Sequence, residues 1–394
     1  MTKEQQYFLH LVRTHLNNEI PEAPTDIDFS ELFKVCELQN MTAIAAVELK
    51  KLLKDGCISK EQFSPFNQIL GLTIQNYEFK AEGIRILSKT LSEHNINHLF
   101  LKGAAIRDLY PVPEIRTSGD TDVVVNESDL AVTTAILKDA GFQCEISNDI
   151  QSVMSYRNEE YEIKSYVDTL NDLCRSYFND IFGIQAVKTS SHSYILTPFN
   201  HLIYVLVHML KHFRSGGAGI RQLCDLDVLL RNSNIDIEKL LNTCAELGIS
   251  KSTSVLLSLC KKYFDTPITF EDTASEELKV RVENMMLNGG TFGFGIGNIG
   301  TVRLTRMMST SHGNHLISFK AFLNLFSYEK EDLLHRYEYA RRHHILLPAA
   351  YFSRLFDAIF KRGAQNLRHI KSIFRDKEIA SEMSDLLSEL EINE

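Results

Sequence analysis

No run of about 18 apolar residues occurs in the sequence, and this excludes a membrane-spanning helix. An apolar leader is missing too. The chain opens Met1-Thr2-Lys3-Glu4-Gln5-Gln6, so a cytoplasmic location is the expectation. Cys-x-x-Cys is absent, and the seven cysteines (36, 57, 144, 174, 224, 244 and 260) are scattered and odd in number. They read as reduced thiols packed mostly in helices. Positive charge is in short supply: 42 Lys and Arg face 51 Asp and Glu, a net charge of −9. That argues against indiscriminate binding of long nucleic acid, which needs many cations on phosphates. A small RNA end on a local patch stays open.

What is present is a chain of 394 residues with ordinary apolar and charged fractions, long enough for two or three domains. Its most informative stretch is Arg116-Thr117-Ser118-Gly119-Asp120-Thr121-Asp122-Val123-Val124-Val125. The pattern is a tight turn running into a strand. Strand side chains alternate faces, so Asp120 and Asp122 point the same way, about 7 Å apart along the chain. The three valines show no wet face and read as buried on both sides. Two carboxylates at the mouth of such a strand are costly without a cation beside them. Hard oxygen ligands select magnesium, and a pair of carboxylates can share two divalent ions.

Upstream, His98 to Lys102 reads as a strand, Gly103 as a turn, and Ala104 to Tyr110 as a helix start. Free N–H groups at such a start suit phosphate. The order of strand, Lys-Gly turn, helix and Asp-x-Asp strand resembles the DNA polymerase β-like nucleotidyltransferases. In detail, Leu101-Lys102-Gly103, Tyr110-Pro111, Arg116 and Asp120-x-Asp122 resemble an uncharacterised bacterial nucleotidyltransferase family of that superfamily. A second hallmark lies about 90 residues on. There His208-x-x-Lys211-His212-Phe213 precedes a Gly-rich turn, and Gly219-Ile220-Arg221 and Asp225 follow it. Leu346-Leu347-Pro348 and Arg354 also look like that family, so the likeness covers about residues 75 to 365. Ala104 stands where the wider superfamily has Gly or Ser, which removes a hydroxyl contact to phosphate.

The resemblance implies an α+β fold: a small mixed-sheet catalytic core at 75–190, a helical N-terminal brace at 1–74 and a large helical domain at 191–394. It implies a third acid from a neighbouring strand. Glu162, in Tyr161-Glu162-Ile163-Lys164, matches a Glu that the family places before an apolar residue and often His; Lys164 departs from that His. Glu160 and Asp168 remain alternatives. Asp120, Asp122 and Glu162 would then hold two Mg2+ ions. Lys102, Gly103, Arg116, Lys211 and Arg221 would contact the phosphates of an NTP, with ATP expected. A nucleoside monophosphate would pass to an acceptor hydroxyl with release of pyrophosphate. The acceptor is a small molecule by preference, with tRNA or protein, as in toxin-like relatives, as the alternative. A non-catalytic NTP-binding scaffold is a further one.

Other signals carry less. Arg116 could equally pair with a carboxylate and hold its turn, and Asp225 could cap a helix or pair with Arg221. His208 and His212 are one helical turn apart, like paired zinc ligands, yet no third ligand is evident. Gly295-Ile296-Gly297-Asn298-Ile299-Gly300 matches the dinucleotide fingerprint in form alone, with no β-α-β unit around it, and reads as a loop or lid. A basic surplus between Asp332 and Lys377 reads as a solvated helix face or a track for an anionic partner. The last stretch, Ile379 to Glu394, reads as a frayed amphipathic helix.

Overall fold

A computed structural model describes residues 1–215, 217–290 and 377–392. The Gly295–Gly300 stretch, the surplus before Lys377, and Leu346-Leu347-Pro348 with Arg354 lie outside the described residues. Four helices come first: α1 (Lys3–Leu16), α2 (Phe29–Leu38), α3 (Thr42–Lys54) and α4 (Lys60–Glu93). The core follows as β1 (His98–Phe100), α5 (Gly103–Ile106), β2 (Thr121–Val125), α6 (Leu130–Asp139), β3 (Gln143–Ser147), β4 (Gln151–Tyr156) and β5 (Glu159–Lys164). Then come α7 (Asp172–Tyr177), β6 (Ala186–Lys188), β7 (Ser193–Leu196), α8 (Pro198–Ser215), α9 (Ile220–Asn232), α10 (Ile237–Glu246), α11 (Ser250–Phe264) and α12 (Glu276–Gly289). The last described helix is α13 (Lys377–Glu389). This is a mixed α+β fold, and no described helix is long and apolar enough to cross a membrane.

The strands form one mixed sheet in the order β3-β4-β5-β2-β1-β7-β6. β2 lies antiparallel to β1 and parallel to β5, with Asp122 opposite Glu162 and Val124 opposite Lys164. The alternation along β2 and β5 divides two cores. Val123, Val125, Tyr161 and Ile163 face α4 and α6, and pack with Leu87, Leu91, Leu130 and Leu137. Val124 faces the other way, into the larger core shared with α8, α9 and the N-terminal helices. Asp122, Glu162 and Lys164 have Val124's parity, so they point toward the α8–α9 side. Each valine is at most 2% exposed, worth roughly 1.5–3 kcal/mol of burial.

Helix α4 runs on through Pro65 from a Ser59–Gln62 capping box. The C-terminal helix is packed, not frayed: Leu386, Leu387, Leu390 and Ile392 are buried, and Glu389 pairs with Arg281 of α12 at 2.6 Å.

Candidate active site

The site begins with two strand ends. Parallel pairing sets Glu162 beside Asp122, and Asp120 precedes β2 on the same side. One oxygen from each of Asp120, Asp122 and Glu162 lies within 4.8 Å of the others, the arrangement of a metal-holding group. The donors are all carboxylate oxygens, which fits a hard divalent ion. Asp122 is the buried member, its side chain 3% exposed, against 35% for Asp120 and 25% for Glu162.

Two lysines offset most of the charge of this cluster. Lys102 Nζ lies 2.5 Å from Asp122 Oδ2 and 3.8 Å from Asp120 Oδ2. The short contact to Asp122 pairs the ammonium group directly with the buried oxygen. Lys164 donates to Asp122 Oδ1 at 3.0 Å, pairs with Glu162, and reaches Asp168 at 3.4 Å. Burial alone would raise the Asp122 carboxyl. Lys102 and Lys164 outweigh burial and hold it below the ordinary value, so it is ionised and ready to bind a cation. Lys164 is likewise held above its ordinary value: burial opposes its charge, and Asp122 and Glu162 restore it. Any ion entering here competes with that ammonium group.

The Lys102-Gly103 turn has a specific geometry. Lys102 takes φ +51°, a conformation that disfavours side chains, and this places its ammonium group at the acids. A Cβ on Gly103 would stand 2.2 Å from Arg116 Nη1, so glycine is required for the guanidinium to lie against the turn. The helix after it is one turn of α5 followed by a 3-10 turn at Arg107–Leu109. Its dipole is therefore far smaller than a full helix would give.

Arg116 is anchored, not free. It grips Asp225 of α9 with Nε at 2.9 Å and Nη2 at 2.7 Å, and Tyr110 donates to the same carboxylate at 2.7 Å. The partner of Asp225 is thus Arg116, not Arg221. Arg221 instead donates to the Thr117 carbonyl at 3.3 Å; burial, then Arg116, lower its pKa to about 10. Among the described residues Arg221 has no carboxylate partner, whereas Lys211 pairs with Asp168 at 2.8 Å. Two lysines outweigh burial at Asp168 and keep it below the ordinary range. Glu160 is pushed up, by burial and then by Glu162.

These groups line a cavity of about 460 Å³. It takes in Lys102, Arg116, Asp120, Glu160, Glu162, Lys164, Asp168, Lys211 and Arg221, with His208 and His212 on the α8 wall. The histidines bond each other, Nε2 to Nε2, at 2.8 Å. Burial, then Lys102, pushes both down, His212 to about 4, so they are neutral at pH 7. No third ligand joins them among the described residues; the metal-type cluster there is the carboxylate one. The sequence had flagged Lys164 only as a departure from the family pattern, and nothing in it signalled Tyr110 as a partner of Asp225.

Comparison with curated proteins and with solved structures gave no match. One protein family, described as an uncharacterised nucleotidyltransferase, has a model that matches residues 25–265. The match takes in β1 to β7, both strands that carry the acids, and α8 and α9. It covers more than half of the chain, and the chain belongs to the uncharacterised nucleotidyltransferase family.

Proposed function

We propose that this enzyme is a magnesium-dependent nucleotidyltransferase. It moves a nucleoside monophosphate from an NTP, with ATP the expected donor, to the hydroxyl of a small acceptor, and releases pyrophosphate. The observation that carries the reading is the Asp120–Asp122–Glu162 cluster, with its oxygens within 4.8 Å, opening onto a cavity that also holds Arg221. Family membership supplies the reaction class and an NTP as substrate.

Asp120, Asp122 and Glu162 would hold two Mg2+ ions. Bound there, the ions screen the triphosphate and acidify the acceptor hydroxyl. The remaining work falls to the chain itself. Lys102, at the edge of the acid cluster, would offer its ammonium group to the phosphates. Arg221, without a carboxylate of its own among the described residues, contributes a second positive charge, and Lys211 a third when it leaves Asp168. Arg116 acts through position: clamped by Asp225, it fixes the turn that delivers Asp120. Glu162 is more exposed than Asp122, and its carboxylate takes the acceptor proton. The neutral histidines wall the cavity without adding charge.

The test is transfer of label from α-labelled ATP in Mg2+, with the products resolved by size. Asp120→Asn and Asp122→Asn should each lower turnover by roughly 10³-fold or more, the scale of removing a group that stabilises the transition state. Unchanged transfer in both variants sinks the mechanism. Label on tRNA or protein instead of a small product corrects the acceptor.

A further inference from the structure

A second cavity, of about 270 Å³, lies along α4 beside the site. Its wall includes Thr117 and Ser118, and Arg116 lines both cavities, so the segment entering Asp120 divides them. Three cations line the second cavity, and two are neutralised. Arg116 pairs with Asp225, and Lys80 pairs with Glu159 at 2.9 Å while also donating to Ser118 and Gly119. The third is Arg107. It is 7% exposed and makes no ion pair among the described residues, and its Nη2 has no hydrogen-bond partner. Its guanidinium rests over the Tyr77 ring, 5.3 Å from the centroid.

A buried, uncompensated guanidinium is costly, and burial followed by the nearby Arg116 disfavours its charge. Structures rarely leave such a group without a counter-ion. The planar fork of an arginine matches two oxygens of a phosphate group. The nearby Ser118 hydroxyl, which only accepts from Lys80, and the Asn76 amide offer further donors. The volume suits a phosphate group with a short organic stem.

We propose that this cavity is a second oxyanion site, distinct from the carboxylate site, in which Arg107 binds a phosphate group. Inorganic phosphate and a phosphomonoester present the same oxygens, and both are tested.

The experiment is calorimetric titration of the full chain in EDTA, in an Arg221→Gln background that weakens anion binding in the catalytic cavity. Inorganic phosphate and glycerol phosphate are the two probes, and acetate is the control. One saturable site for at least one phosphate probe is expected, with tighter binding of glycerol phosphate pointing to an organic ligand. Arg107→Gln should weaken that binding about tenfold or more, the factor for one lost charge-assisted contact. Its melting temperature without anion should be equal or higher, because an unpaired buried charge has gone. Thr73→Leu, which fills the cavity from the surface of α4, should abolish binding independently of Arg107. The proposal is overturned if neither phosphate probe binds, or if acetate binds as tightly. It is also overturned if either Arg107→Gln or Thr73→Leu binds phosphate as the background protein does.

Discussion

The two faces of β2 and β5 contain nearly the same number of residues and behave in opposite ways. On the α4–α6 face, Val123, Tyr161 and Ile163 are fully buried and apolar. On the α8–α9 face, Asp122, Glu162 and Lys164 hold their charges in a near-neutral cluster. Burial stabilises the first face directly. On the second, burial costs free energy that only matched opposite charges offset. One strand pair can therefore anchor the fold with one set of side chains and keep an ion-binding site with the other.

The contrast can be broken most severely on the apolar side. Tyr161→Ala removes a fully buried ring that Gly83 of α4 allows to approach closely. It should cost roughly 3–5 kcal/mol in urea unfolding, with Mg2+ affinity of the folded fraction unchanged. Next comes Gly103→Ala. Its methyl group would collide with Arg116 and should cost about 1–3 kcal/mol by overpacking, with reduced transfer because the Arg116–Asp225 clamp shifts. A structure of that variant with Arg116 unmoved would remove the explanation.

On the charged side, Lys164→Met deletes the ammonium group that competes for the acids. Mg2+ should bind about tenfold tighter by calorimetry, while the metal-free protein becomes less stable because the acids repel one another. Equal or weaker Mg2+ binding would mean that Lys164 does not compete. The smallest effect is in pH. Asp122 and Asp168 have folded pKa values below their ordinary values, so their stabilisation is complete above about pH 4. It is lost as pH falls through the lowered folded values. Asp122→Asn should therefore show a shallower loss of stability than the parent as pH falls below about 4.

How far the sequence could be read depended on whether a signal was local. The Asp-x-Asp strand was legible because its two carboxylates and three valines sit in one short segment of period two. A strand carrying Glu162 was expected from the family likeness, but nothing marked its start at Glu159. Arg157 and Asn158, at φ +52° and +65°, make a tight hairpin turn without the Asn-Gly or Asp-Gly pair that announces one. β6 and β7 were missed because they are short, three and four residues, and only β6 forms the sheet edge. Pairing across distance was legible least of all. Arg116 and Asp225 are 109 residues apart, and either could have found another partner.

By itself the sequence determined which residues could do chemistry: two acids at a strand mouth, a Lys-Gly turn and a helix ending near glycines. These follow from backbone geometry and local patterning, which need no partner. Tertiary structure alone decided which charges meet. It set Lys164 among Asp122, Glu162 and Asp168, turned Arg116 to Asp225, and left Arg107 without an ion pair among the described residues. The reason is physical: the strength of an ion pair depends on distance and on exclusion of water, and only packing of distant segments sets either.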